Sequence, residues 1–224
     1  MALIELEGVG REYQMGEEKV YALRDVSLKV EEGEFVSIVG RSGSGKSTLM
    51  NLIGCLDRPS EGQYRLAGRS VAQLSDRELS VVRNRVVGFI FQGFNLVQDL
   101  TALENVELPL VYRGWPRAKR RQAAQTALEQ LGLAERMDHR PGQMSGGQQQ
   151  RVAIARAVAA NPSLILADEP TGNLDSRAGE EVMHLLTGLW RQGKTVLLIT
   201  HDPVVAACAP RRIIIDGGRG EKEG

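Results

Sequence analysis

"FVSIVGRSGSGKSTLMNLIG", residues 35–54, decides the fold. Phe35 to Val39 is an apolar run that reads as a buried strand, and "KSTLMNLIG" resumes with helical spacing after a glycine-rich loop. The loop fits G-x-x-x-x-G-K-S from Gly40 to Ser47, in the strand–loop–helix context that this pattern requires. The backbone N–H groups of Arg41, Ser42, Gly43, Ser44, Gly45 and Thr48 can turn inward around phosphates there. Lys46 would reach the β/γ-phosphates, and the Ser47 hydroxyl would hold Mg²⁺. Such a unit begins a parallel α/β sheet.

The same logic extends outward. "ALIELEG" alternates as a strand does, "YALRDVSLKVEEGEFVSIVG" reads as two more strands, and "RPSEGQYRLAG" holds a short one. "SDRELSVVRN" predicts a helix capped by Ser75, and "RVVGFIFQ" a buried strand ending at Gln92. From Thr101 to Ala160 the pattern turns helical for about sixty residues, the size of a subdomain. Thr101 caps "ALENVELPLVY", Pro116 opens "RAKRRQAAQTALEQLG", and Ser145 caps "GGQQQRVAIARAVAAN". The parallel pattern then returns with strand "LILADE", a helix capped by Asp175, strand "TVLLITHD", a short helix opened by Asp202 and Pro203, and strand "RRIIIDGG". The tail "GGRGEKEG" reads as disordered.

The 224 residues carry 28 basic and 28 acidic side chains, so no general field attracts nucleic acid or an anionic membrane. Cys55 and Cys208 stand apart from any CxxC spacing, which suits a reducing compartment. "MALIELEGVG" does not read as a signal peptide, and no run approaches the roughly 18 apolar residues of a spanning helix. The expectation is a soluble, cytosolic chain of one domain with a subdomain.

Several residues suggest chemistry. Asp168 and Glu169 end the strand "LILADE", where open α/β sheets keep their ligands; one acid can hold Mg²⁺ and the other activate a water, or both can form a polar turn. Gln92 can touch metal and water or simply be solvated, and His201 can face a γ-phosphate or be a surface histidine. Tyr13, in the expected loop "REYQMGEEKVY", can stack on adenine or lie as a surface aromatic. "MSGGQQQR", residues 144–151, is a second apparent anion site at a helix start, which one nucleotide does not need.

The chain order Tyr13, "GRSGSGKS", Gln92, "MSGGQ", "LILADE", "GNLD", His201 resembles that of the ATP-binding-cassette (ABC) ATPases, over nearly the whole chain. The resemblance implies a P-loop core with a mainly parallel sheet (1–100 and 161–224), an N-terminal antiparallel β subdomain, and a helical signature subdomain (101–160). It further implies ATP and Mg²⁺ as ligands, Glu169 as general base, and Lys46, Gln92 and His201 as its catalytic companions. Ser47, Gln92 and Asp168 would hold the metal. Ser145, Gly146, Gly147, Gln148 and Asp175 would meet the nucleotide of a second copy packed head to tail, which explains two anion sites in one chain. "NLIGCLDRPSEG", "VGFIFQGFNLVQDLTALENVELPLVY" and "DEPTGNLDS" are similar to the branch serving lipoprotein-releasing and macrolide- or antimicrobial-exporting permeases.

Met144 replaces the usual leucine, Arg41 stands where this branch often has proline, and Gly93 loosens the segment after Gln92. The partner would be a separate permease docking near Gln92–Leu100, with Phe94, Leu96 and Val97, on the inner face of the membrane. A cell-division complex driven by the same engine is the alternative. A cassette serving translation or DNA repair would carry tandem units or a coiled coil, and a simple P-loop kinase would not explain "SGGQ" and "GNLD".

Overall fold

The computed structural model of the chain describes residues 1–16 and 18–221. Two sheets form. Strands β1 (Ala2–Met15), β2 (Glu18–Glu31), β4 (Glu61–Leu66) and β5 (Arg69–Ser70) make an antiparallel sheet in the order β2-β1-β4-β5. Strands β3 (Phe35–Val39), β6 (Val87–Phe91), β7 (Leu164–Asp168), β8 (Thr195–Ile199) and β9 (Arg211–Asp216) run parallel in the order β9-β3-β8-β7-β6. A last strand, β10 (Arg219–Glu221), pairs antiparallel on the β9 edge.

Both faces of the central strands are buried, which is why they read as continuous apolar runs. Along β7, Leu164 and Leu166 pack into the core shared with the antiparallel sheet and helix α1 (Lys46–Ile53). Ile165 and Ala167 point the other way, onto α5 (Gly146–Val158) and α6 (Ser176–Arg191). A third cluster joins α3 (Ala102–Tyr112), α4 (Arg117–Gln130) and α5 through Leu103, Val106, Ala124, Leu128 and Val152. Helix α5 therefore serves two cores, with Ile154 and Ala157 in one and Val152, Ala153 and Ala155 in the other.

The expected caps form. Ser75, ahead of α2 (Asp76–Val86), Thr101 and Ser145 each close a reciprocal box with Glu78, Glu104 and Gln148. Asp175 caps α6 through Ala178 N–H, and Asp202 opens α7 (Pro203–Ala206). Two expectations fail. Tyr13 lies within β1, paired with Val20, rather than in a loop. The tail is ordered through residue 221, with Lys222, Glu223 and Gly224 outside the described residues. Gly217 and Gly218, both at positive φ, form a two-residue hairpin turn between β9 and β10. Gly218 then donates its N–H to the Ser44 carbonyl at 3.1 Å and accepts from Arg24 N–H at 2.7 Å.

Candidate nucleotide site

The site is laid out by strand register. Phe91, Asp168 and Ile199 are paired neighbours at the ends of β6, β7 and β8, and Thr200 N–H donates to Ile38 on β3. Gln92, Glu169, Thr200 with His201, and the loop after Val39 thus follow the carboxyl ends of four adjacent strands. That edge is where an open α/β sheet binds ligands.

Gly40 to Gly45 form the loop, and Gly45, at φ 101°, starts α1 in a left-handed conformation that an L side chain would strain. No side chain caps α1, so its first-turn N–H groups remain for an anion. The Lys46 ammonium folds back on the loop, donating to the Gly40 and Arg41 carbonyls at 2.7 and 2.9 Å. Ser44 is buried, and its hydroxyl has no hydrogen-bond partner. Ser44 N–H donates to the Arg41 carbonyl at 3.1 Å, and a buried orphan hydroxyl beside an uncapped helix start is an arrangement that phosphate oxygens satisfy. Arg41, Ser42, Gly43 and Ser47 are exposed at the loop's mouth, and Thr48 is half-buried.

Burial pushes the Asp168 carboxyl up, the neighbouring Glu169 charge adds to this, and Lys46 opposes it. A cation beside Asp168 would favour its ionised form. The described residues contain no group of three or more His, Cys, Asp or Glu able to hold a metal. Mg²⁺ binds through one or two protein groups, water and substrate phosphates, and the Asp168 carboxyl at the end of β7 and the exposed Ser47 hydroxyl are groups of that kind.

Glu169 sits at φ +44°, a sparsely populated region for a non-glycine residue that is typical of functional turns. Its N–H donates to the Ile199 carbonyl at 2.9 Å, which fixes the turn. One carboxylate oxygen accepts from His201 N–H at 3.0 Å and lies 2.6 Å from His201 Nδ1; the other accepts from Thr200 Oγ1 at 3.1 Å. Thr200 is buried and in turn accepts from Asp202 N–H. The structure brings Glu169 and His201 together directly. A γ-phosphate would have to be met by the imidazole's other nitrogen, Nε2. Sequence reasoning missed Thr200, for which "LLITHD" offers only a hydroxyl beside the histidine.

Gln92 and Asn173 exchange side-chain and main-chain hydrogen bonds at 3.2 and 3.1 Å, tying the end of β6 to "GNLD". Beyond Gln92, Phe94 and Asn95 have φ of 60° and 50°, and Arg156 of α5 donates to both their carbonyls. The three glutamines of "GGQQQR" have three tasks. Gln148 closes the Ser145 box, Gln149 donates to the Met144 carbonyl, and buried Gln150 donates to the Pro170 carbonyl at 2.6 Å and to Phe91 at 3.4 Å.

The second glycine of "SGGQ" has an explanation within the chain. A Cβ on Gly147 would lie 3.0 Å from the Ala178 Cβ, so α5 and α6 meet too closely for a larger residue. A Cβ on Gly146 would lie near Leu174, Asn173 and Phe94, which follow β7 and β6, and β6 is three strands from β3 and its phosphate loop. At about 4.8 Å per strand this is roughly 14 Å of sheet. The Ser145 helix start and the phosphate loop thus belong to different strand ends of the sheet.

A profile of the family called ABC transporter matches residues 23–172. The chain belongs to the ABC transporter family. It is a cassette of the ABC ATPase type, with the P-loop core, antiparallel sheet and helices that the sequence implied. It is 56% identical over 217 residues to "Macrolide export ATP-binding/permease protein MacB 1/2" of Paracoccus denitrificans (strain Pd 1222), covering 97% of this chain and 32% of that protein. It is 50% identical over 216 residues to "Uncharacterized ABC transporter ATP-binding protein YknY" of Bacillus subtilis (strain 168), covering 96% and 94%. The cassette thus spans about a third of the length of that MacB relative and nearly all of YknY. Among solved structures it is similar to the dimeric post-hydrolysis state of the ATP-binding cassette MJ0796 bound to ADP and Pi. That similarity has a TM-score of 0.91 and 50% identity, and covers 99% of this chain and 97% of that one.

Proposed function

We propose that the cassette binds Mg-ATP in its phosphate loop, pairs head to tail with a second copy, and hydrolyses ATP to drive a permease. The observation that carries this reading is the separation of the two anion sites across the sheet. In a C₂ pair, the loop of each copy would meet Ser145, Gly146, Gly147, Gln148 and Asp175 of the other. The dimeric MJ0796 structures support the pairing.

Chemically, Glu169 takes a proton from water as the water oxygen attacks the γ-phosphorus, and ADP departs. Lys46 leaves its loop carbonyls for the phosphates, and His201 Nε2 faces the developing charge. Ser47, Asp168 and Gln92 (once parted from Asn173) would hold Mg²⁺, which supplies charge neutralisation when bound. Tyr13 would stack on the adenine.

No helix among the described residues is long and apolar enough to cross a membrane. The expected docking segment needs correction, because Leu96 is buried in the helical core and Phe94 packs against that core; Val97 is exposed. A groove of about 710 Å³ lies beside it, lined by Leu56, Val81, Phe89, Tyr112, Arg113 and Arg156. Burial lowers the pKa of both guanidinium groups, and their hydrogen bonds go to main-chain and amide oxygens. An apolar cytosolic segment carrying an acidic side chain fits this groove. The permease is fused in the MacB relative, as its name says, and would be a separate chain if this cassette works as a stand-alone subunit. That name favours export over lipoprotein release or a role in cell division, with the cassette held at the cytoplasmic face.

Glu169→Gln tests the pairing. It should retain ATP and accumulate a dimer in sedimentation with Mg-ATP but not with ADP, and adding Ser145→Arg should return it to a monomer. A Glu169→Gln protein that stays monomeric in saturating Mg-ATP overturns the reading.

A further inference from the structure

We propose that Asp57 is the positioning residue for the Tyr13 ring, and thereby sets how strongly the cassette reads the base of its nucleotide. The inference rests on the reading of Tyr13 as the adenine platform. Asp57 lies in "NLIGCLDRPSEG", just after α1, and its N–H donates to the Asn51 carbonyl of that helix at 3.2 Å. One carboxylate oxygen accepts from Arg58 N–H at 2.8 Å. The other accepts from both the Tyr13 hydroxyl and Arg11 Nε, each at 2.8 Å.

A register shift interrupts β1 between Arg11 and Glu12, and the side chains of Arg11 and Tyr13 converge on the same Asp57 oxygen. The Arg11 guanidinium carbon lies 4.6 Å from the centroid of the Tyr13 ring and covers one of its faces. A base can then stack only on the other. The side chains of Arg11 and Asp57 are 23% and 24% exposed, so solvent screens the clasp only in part. Ser60 completes it, accepting from Arg11 and from Glu12 N–H while donating its own N–H to the Gly10 carbonyl.

Through Asp57, the helix whose first turn carries the phosphate loop is joined to the strand that carries the ring. The distance between phosphate cradle and base platform is fixed before the nucleotide arrives. Without the clasp the ring has its own rotamers to lose on binding, and the base loses affinity while the phosphates do not.

Calorimetric titration with Mg-ADP, which is not turned over, and with Mg-pyrophosphate, which lacks a base, tests this. Tyr13→Phe and Asp57→Ala should each weaken ADP about 3- to 10-fold, leave pyrophosphate unchanged, and combine without further loss. If Tyr13→Ala weakens ADP while Tyr13→Phe and Asp57→Ala do not, the platform stands and the role of Asp57 falls. If Tyr13→Ala leaves ADP affinity unchanged, the platform reading itself falls, and the inference with it. Equal weakening of ADP and pyrophosphate by Asp57→Ala would make Asp57 a structural tie of α1 and overturn the proposal.

Discussion

The phosphate loop and the segment after Gln92 both leave the carboxyl edge of the same sheet, yet they are held by different means. Apart from the Lys46 ammonium on the Gly40 and Arg41 carbonyls, the loop is fastened by main chain: Gly218 N–H on the Ser44 carbonyl, and Leu49 N–H on the Gly45 carbonyl at the start of α1. The other segment is held largely by side chains from elsewhere, with Arg156 on Phe94 and Asn95, Asn173 on Gln92, and Gln150 on Phe91. Main-chain ties persist unless the sheet itself opens. Side-chain clasps can be exchanged for a phosphate, a metal or a partner at the cost of one rotamer change. Along that one edge, the loop after β3 is a cradle and the segment after β6 a set of releasable grips.

Removing the cradle's charge should give the largest effect. Lys46→Ala should slow phosphate release on the order of 10²–10³-fold, since it removes the ammonium from the phosphate loop. Near-normal turnover would mean that loop N–H groups suffice. Next comes the support of the base. Thr200→Val keeps the volume but removes the hydroxyl on Glu169, and should lower kcat about tenfold with KM for ATP unchanged, while Thr200→Ser restores it. Loss of activity in both variants would assign Thr200 to packing alone.

Among the grips, Gln150→Leu strands the Pro170 carbonyl in a buried place and should destabilise the protein by about 1–3 kcal/mol, read from urea denaturation. An unchanged midpoint would show that the strand end holds without α5. The smallest effect belongs to the caps. Hydrogen bonds from Ser75 hold Glu78, and those from Thr101 hold Glu104, below the ordinary carboxyl value of 4.5. A depressed folded value means that the stabilisation is complete above about pH 4.5 and is lost as pH falls through the folded values. The acid-induced fall in melting temperature should shrink slightly in Glu78→Gln and Glu104→Gln. An unaltered pH dependence would count against the boxes.

What was legible in the sequence was local. Ser75, Thr101 and Ser145 announce their helices because the box partner is three residues away, and "GRSGSGKS" carries its geometry in its glycines. Gln150 to Pro170, Gln92 to Asn173 and Arg156 to Phe94 join residues distant in sequence, so nothing near any of them signals the contact. Tyr13 read as loop because its polar neighbours mask a long exposed hairpin. The tail read as disordered because "EKEG" outweighed the Gly-Gly turn signal after an apolar strand. The docking segment misled for a related reason: Leu96 looks available in a loop, but α3 and α5 close over it.

Helix α5 has a consequence for regulation. It carries the Ser145 terminus, fills two cores, and places Arg156 in the groove with a hand on the segment after Gln92. If the Ser145 end meets a nucleotide as proposed, an occupant of the groove that shifts α5 would change the affinity of that end for the nucleotide. Linkage makes that exchange symmetrical: the factor by which nucleotide tightens the groove is the factor by which the groove's occupant tightens nucleotide. The same helix would let the permease report its state backward as faithfully as ATP commands it forward.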